Sequence, residues 1–424
     1  MLEPLYTADE LKAAEAGHDV AELMERAGRA VADAVVERFP DARTFSLFAG
    51  GGANGGDGQI AARILAEHGW TEAEDGDVVI DALFGTGFRG PPRDEAAALI
   101  ARMTGRVVSV DVPSGVDAST GEVPGAAVEA ELTVTFQGRK VGLVVAPGRF
   151  HAGEVVVADI GLEPTETEHA RVTPDILGLV PQKAARDNKY SAGSVLVVGG
   201  APGMTGALCL AAQAAFRADA GYVAVAVPAA SLAVVEAKLL EPVKGTWDDV
   251  DRLAEKAGAV AIGPGLGRTP EARALVVRLL AALDVPVVLD ADALFELEPF
   301  ERDAPTVLTP HSGELARLLG RDDVDAHRLA AVREAAERFG CTVLLKGADT
   351  LVATPGEGVL VSDLGTPALA TAGTGDVLTG VIAAYLAKGL DGRTAAAAGA
   401  AATQLASRRF GRGAVASDLL DGPL

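Results

Sequence analysis

The chain has 424 residues, a length that suits two or three domains, and at 49% hydrophobic and 23% charged it has ample material for packed cores and none of the signature of bulk disorder. Asp and Glu outnumber Lys and Arg by 59 to 37, and the net charge of -22 argues against nucleic acid or an anionic membrane as the main partner, since both need a basic surface. Two cysteines, Cys209 and Cys341, are too few for a disulfide framework or a cysteine-rich zinc site, and each reads as a small core hydrophobe.

In chain order, Thr7 and Glu10 form a capping box at a first helix. Leu23, Ala27, Val31 and Val35 repeat at helical spacing. Apolar runs of strand length follow at 44–49, 78–83, 107–112 and 132–136, and the first three end in Gly or Pro loops. Strands alternating with helices predict βαβ units and a mainly parallel sheet, whose ligands bind at the carboxyl ends of the strands. A polar, Pro-containing seam over 163–189 marks a domain boundary, dividing the chain at 1–170 and 171–424. Beyond it the alternation returns. Strands are expected at 194–198, 222–227, 259–262, 285–289, 306–308, 342–345 and 350–353, and helices at 206–218, 270–282, 313–319, 326–339, 375–387 and 395–407. The first residues lack the basic and apolar parts of a secretion signal, and the longest uncharged apolar runs are too short to span a bilayer, so a cytoplasmic protein is expected.

The sharpest feature of the first half is a glycine loop, 50–58, between a strand and a helix expected at 59–67. Its backbone N–H groups and the positive helix end make an anion site suited to phosphate; a flexible connection would look the same in sequence. Two further strand ends carry Asp81 and the set Asp111, Ser114 and Asp117. Capped turns explain single aspartates. Asn54, Asp81, Asp111 and Ser114 together suit a hard alkali or alkaline-earth cation rather than a transition metal.

In the second half, Ala370 to Gly380 reads as a small-residue loop running into an apolar helix, with Asp376 in the first turn. Amides of 373–375 can stabilise charge on a transferring phosphoryl group, and Asp376 can take a proton from an attacking hydroxyl. A helix cap is the plainer reading of the aspartate alone. Lys346-Gly347 ends a strand, and His311 and Glu314 stand at a helix start with no further ligand spaced for zinc. Loops at 199–206 and 263–267 outline the same sheet edge, and Asp290 and Asp292 follow another strand as groups near the site or as caps.

The first half resembles the YjeF N-terminal family of NAD(P)H-hydrate epimerases, through Leu23–Gly28, Asn54–Gly58, Asp81–Gly87, Asp111–Gly115, Thr133–Phe136, Lys140–Gly142 and Asp159–Gly161. The resemblance implies a potassium ion held by Asn54, Asp81 and Ser114. It implies substrate contacts from Ala53, Asn54, Gly55, Gly56 and Asp57, from 85–91 including Gly85, Thr86 and Gly87, and from Asp111, which would be the acid/base residue at ring carbon 6. Ala53 departs from the family's usual Asn. Only 70–76 links the first helix to the next strand, shorter than a βαβ crossover, so one βα unit is expected to be missing there. The second half resembles the YjeF C-terminal family, the ADP- or ATP-dependent NAD(P)H-hydrate dehydratases of ribokinase-like fold, from about Lys189 to Gly389. It implies that Lys346, Gly347, Ala348, Asp349 and Thr350, with 366–375 including Thr371, Ala372, Gly373, Thr374 and Gly375, hold the adenine nucleotide. Gly267, the stretch Pro310, His311, Ser312, Gly313 and Glu314 to Ala316, and Asp376 would hold the substrate. Phe295 stands where the family usually has Asn.

The fold expected from the two resemblances is α/β: a shortened Rossmann-like three-layer sandwich followed by a ribokinase-like domain. The function expected is metabolite repair. Asp376 would start an ADP-dependent dehydration of the S epimer of hydrated NADH or NADPH, with Mg²⁺ bridging the nucleotide phosphates and ATP as the other nucleotide option. Asp111 would interconvert the R and S epimers. A homo-oligomer is the expected assembly. The alternative is a small-molecule hydroxyl kinase of the same fold, whose N-terminal domain only binds or oligomerises.

Overall fold

Residues 2–424 are described by a computed structural model. To residue 172 the elements are β1 (Leu2–Tyr6), α1 (Ala8–Ala14), α2 (Val20–Arg38), β2 (Thr44–Ala49), α3 (Ala53–Glu67), β3 (Thr71–Glu72), β4 (Val78–Ala82), α4 (Asp94–Ile100), β5 (Val107–Val110), β6 (Leu132–Phe136), β7 (Arg139–Lys140), β8 (Glu154–Ala158) and β9 (His169–Val172). There follow β10 (Ser194–Val198), α5 (Thr205–Arg217), β11 (Tyr222–Val227), α6 (Leu232–Lys238), β12 (Val243–Thr246), α7 (Val250–Ala254), β13 (Ala259–Ile262), α8 (Pro270–Ala282), β14 (Val287–Leu289), β15 (Thr306–Leu308), α9 (Ser312–Leu319), α10 (Arg328–Phe339), β16 (Thr342–Leu345), β17 (Thr350–Ala353), β18 (Leu360–Ser362), α11 (Thr374–Ala387) and α12 (Gly392–Ser407). Two compact units emerge. One is Pro4–Ala170 with Asp325–Leu329; the other gathers residues 2–3, Arg171–Val324 and Ala330–Leu424.

The first unit holds a six-stranded sheet in the order β3-β2-β4-β5-β6-β8, parallel throughout. Its central strands β4, β5 and β6 are buried along their whole length, which is why they read as unbroken apolar runs rather than as alternating patterns. The apolar stripe of α2, Leu23, Ala27, Val31 and Val35, closes on Phe45, Ile64, Leu65, Ile80 and Val134 to form this unit's main core. Thr7 caps α1 through the capping box with Glu10. After α3 the chain makes only the two-residue β3 before returning to β4. The link at 73–77 lies against β2: Ser46 Oγ donates to the Glu74 carbonyl at 2.9 Å and accepts from Gly76 N at 2.7 Å. A β-carbon on Gly76 would meet the Phe45 backbone at 2.3 Å.

One expectation fails here. The glycine loop is largely helix, because α3 begins at Ala53, six residues before the expected 59. Glycine disfavours a helix by about 1 kcal/mol, so propensity places these residues outside it. Packing overrides propensity. A β-carbon would lie 1.9 Å from the Gly50 carbonyl oxygen at Gly55, 2.1 Å from Met24 Cε at Gly56 and 2.4 Å from Ala82 Cβ at Gly58. These glycines let α3 press onto β4, α2 and its own entry loop.

In the second unit the strand order is β12-β11-β10-β13-β14-β15-β16-β17-β18. Pairing is parallel as far as β16 and antiparallel for β16–β17 and β17–β18. Helix α11 is buried over ten consecutive residues, Val377 to Leu386, and packs on α5 so closely that a β-carbon on Gly380 would lie 2.1 Å from the Ala211 carbonyl oxygen. Cys341 is buried and its thiol is pushed up to about 12 by desolvation, which makes it an inert core group. Among the described residues, no helix is long and apolar enough to cross a membrane.

Candidate active sites

In the first unit, the ends of β2, β4 and β5 bring Asn54, Asp81 and Ser114 into one hydrogen-bonded chain. Ser114 Oγ donates to Asp81 Oδ1 at 2.5 Å and Ser114 N to Oδ2 at 2.9 Å, while Ser109 Oγ also reaches Oδ2, at 2.8 Å. Phe84 N donates to Ser114 Oγ at 2.8 Å, and Asn54 Nδ2 donates to the Phe84 carbonyl at 2.9 Å. Asp81 is fully buried, and desolvation raises its pKa against the pull of these donors. Among the described residues its hydrogen bonds come from hydroxyls and backbone N–H groups, with no Lys or Arg. A buried carboxylate surrounded by neutral oxygens fits a hard, oxygen-coordinated cation.

Asp111 stands just past β5 in the left-handed region, at φ 68°. Its Oδ1 accepts from Lys140 Nζ at 2.5 Å and from Thr135 Oγ1 at 3.1 Å. Lys140 is buried and is held further by Thr135 Oγ1 and the Phe136 carbonyl, both at 2.8 Å. Asp57, in the first turns of α3, is 92% buried, and among the described residues its Oδ1 has no hydrogen-bond partner. Burial first, then Asp111 and Glu15, push Asp57 up to about 8, so it carries a proton at neutral pH. Glu15, at the end of α1, is also raised by burial and by Asp111, with Lys140 opposing. Thr86 lies in the loop after β4, where its carbonyl accepts from Arg89 at 3.0 Å.

In the second unit the glycine loops after β10 and β13 lock together through their backbones. Ala201 N donates to the Gly265 carbonyl at 2.7 Å, and Gly200 N to that of Pro264 at 3.0 Å. Gly267 N donates to Asp292 Oδ2, and Arg268 Nε to Oδ1, both at 2.9 Å. Behind Gly267, a cavity of about 340 Å³ opens between α8 and the segment 291–301, with Phe295 in its wall and the Arg268 guanidinium 5.0 Å from the ring centre. His311 caps α9, its Nδ1 accepting from Gly313 N at 3.1 Å, while Glu314 reaches back to His311 N at 2.9 Å.

Gly373, at φ 95°, caps α11, and Thr374 N donates to the Thr371 carbonyl at 3.3 Å. Thr374 Oγ1 braces the loop by donating to the carbonyls of Leu369 and Thr371, both at 2.9 Å. Asp376 is raised to about 7, first by burial and next by Asp290, with Lys346 lowering it and Asp292 and Glu314 raising it further. Lys346 Nζ binds Asp290 Oδ1 at 2.8 Å and lies 3.9 Å from Glu314 Oε2. Thr350, grouped with Lys346 by sequence, turns inward, where its Oγ1 accepts from Gln404 at 3.1 Å. Lys140 and Glu15 lie outside the expected site residues, and so does Thr379. Lys140 sits in a matched stretch and Thr379 in the Ala370–Gly380 loop and helix start, and that was the only signal either gave; nothing in sequence marked Glu15.

Comparison with known proteins places the chain in a family. The model described as NAD(P)H-hydrate dehydratase matches residues 195–421, and the one described as YjeF-related protein N-terminus matches 20–73 and 70–142. The chain is 36% identical over 480 aligned residues to the bifunctional NAD(P)H-hydrate repair enzyme of Moorella thermoacetica, covering 94% of this chain and 91% of that protein. It is 34% identical to the enzyme of the same description from Escherichia coli, covering 94% and 88%. Among solved structures, the ADP/ATP-dependent NAD(P)H-hydrate dehydratase of Bacillus subtilis co-crystallised with ATP and Mg²⁺ superposes with a TM-score of 0.54 at 28% identity, covering 59% of this chain and 94% of that one. These matches favour the repair enzymes over the hydroxyl-kinase alternative and carry the α/β fold assignment, with the ribokinase-like fold in the second unit and a Rossmann-like parallel sheet in the first. The chain belongs to the bifunctional NAD(P)H-hydrate repair enzyme family.

Proposed function

We propose that the protein restores NADH and NADPH from their hydrated forms, with the second unit dehydrating the S epimer at the expense of ADP and the first unit interconverting R and S. The observation that carries this reading is Asp376. It is a half-buried carboxylate raised to about 7, in the first turn of the helix that Gly373 caps, where amides at the helix start would face a transferring phosphoryl group. Asp376 takes the proton of the C6 hydroxyl, and that oxygen attacks the terminal phosphorus of ADP, releasing AMP. The C6–O bond then breaks with loss of a proton from C5, giving phosphate and the dihydronicotinamide ring. Phosphorylation converts hydroxide, a poor leaving group, into phosphate. Mg²⁺ enters with the nucleotide as part of the co-substrate, and ATP serves as an alternative donor.

In the first unit, Asn54, Asp81 and Ser114 would hold potassium, which would neutralise the buried Asp81 and stiffen the loop ends that meet the dinucleotide. Asp111, ion-paired with Lys140, serves as the acid/base residue for inversion at ring carbon 6, and the protonated Asp57 donates a hydrogen bond to the substrate. The glycine-lined stretches 53–57 and 85–87 contact the dinucleotide, and the first unit is an epimerase domain shortened near 70–76. A cytoplasmic homo-oligomer is the setting we infer. The test supplies mixed epimers of hydrated NADH with ADP and follows the restored absorbance of NADH. Complete conversion supports both activities. A halt with the R epimer left over, allowing for slow spontaneous epimerisation, removes the first unit's activity, and no conversion with ADP or ATP removes the dehydratase reading.

A further inference from the structure

Asp290 has no place in the chemistry so far, yet it stands at the centre of the second site. It follows β14 and is 1% exposed. Lys346 follows β16, two strands away, and its Nζ meets Asp290 Oδ1 at 2.8 Å. The other oxygen, Oδ2, accepts from Thr379 Oγ1 at 2.7 Å, and Thr379 lies on α11 one turn beyond Asp376. A β-carbon on Gly375 would lie 3.2 Å from Lys346 Nζ and 3.9 Å from Asp290 Oδ2, so the ammonium lies directly against the peptide at 375. The amides that would face the phosphoryl group therefore have a full positive charge next to them.

We propose that Asp290 is the positioning residue of this site: one carboxylate oxygen holds the Lys346 ammonium against the Gly375 turn while the other ties it, through Thr379, to the helix that carries Asp376. Two consequences follow for the reaction, and they rest on the dehydratase reading. Lys346 supplies charge where the transferring phosphoryl group becomes more negative, rather than acting only as a nucleotide contact. The same pair also sets the proton affinity of the base. The charged groups around Asp376 are Asp290 and Asp292 after β14, Glu314 on α9 and Lys346 after β16. Asp290 raises its pKa and Lys346 lowers it, so the two charges work in opposition. Removing Asp290 deletes the repulsion and takes away the nearest counter-charge of Lys346, and both effects lower Asp376. Removing Lys346 deletes the attraction, which raises it.

The test is the pH dependence of kcat/KM for dehydration of the S epimer with ADP in the full-length protein. The acid limb of that profile reports Asp376 in the free enzyme. Asp290→Asn should slow turnover at least tenfold and move the limb down by about one pH unit, and Lys346→Met should slow it and move the limb up by about as much. Thr379→Val, which leaves every charge in place, should lower kcat with the limb unmoved. A purely structural role would lower activity in all three with no opposed shifts; unmoved limbs, or two shifts in one direction, overturn the proposal. If Asp290→Asn fails to fold, the upward shift in Lys346→Met carries the test alone. Carbon-13 titration of the Asp376 carboxyl reads the same two shifts without turnover, so failure of the dehydratase reading and failure of this proposal give different results.

Discussion

Asp376, half-buried, and Asp57, buried, are both carboxylates with raised pKa values, and they should behave differently when altered. Asp376→Ala should cost about 10³-fold or more in dehydration, while nucleotide binding measured by calorimetry largely survives; normal turnover would show that another group is the base. Asp57 bears on stability as well as on the first unit's chemistry. Its folded pKa of about 8 lies above its unfolded value, so the fold is favoured while both states are protonated and loses stability as pH rises toward 8. Asp57→Asn should therefore raise stability at pH 7 to 8 by on the order of 2 kcal/mol, seen as a higher melting temperature, with the gain vanishing below about pH 4. A variant less stable than the parent at pH 8 would contradict the burial argument. Residues inside contiguous motifs, such as Asp376, Asn54 and Asp111, were legible in sequence because one loop holds the whole signal. Glu15 lies outside any motif, and Lys140 and Thr379, though inside motif stretches, gave no sign of a role, because what matters in each is a neighbour far away in sequence: Asp111 for Lys140 and Glu15, and Asp290 for Thr379.

The central strands were readable as elements because burial on both faces makes them uniformly apolar. Edge strands escaped. β8 is largely exposed and β3 has two residues, so neither gives a run that stands out from a loop. The start of α3 escaped for a different reason: its glycines are chosen for what touches them, and that is invisible without the partners. Gly55→Ala should cost about 2–4 kcal/mol despite alanine's better helix propensity, because the added carbon would collide with backbone at Gly50. Gly51→Ala, with open space around it, should be nearly neutral. Thermal unfolding of the two variants separates these outcomes, and equal small losses would mean that the loop relaxes freely.

For the whole molecule, the net charge of -22 and the proposed phosphorylated ligands are reconciled if the anion sites are made locally. In the proposed function, backbone amides at helix starts would do the binding, backed in the second unit by the half-buried Lys346, so the acidic surface need not change. The two units should also separate by cation. Replacing potassium with a bulky organic cation should slow consumption of the R epimer several-fold and leave dehydration of the S epimer unchanged, as followed by NADH recovery from each epimer. Equal slowing of both would place the cation elsewhere.

The short link after β3 has a wider meaning. It lies at the outer rim of the first sheet, where the two matched stretches of the YjeF-related model also meet, while the polar residues of that site hang from three adjacent inner strands. Material can be trimmed from the rim of a parallel sheet without rewiring any inner connection. Natural variation in chain length among such proteins should thus collect at this rim, and a designer seeking the smallest scaffold for the site would begin cutting there.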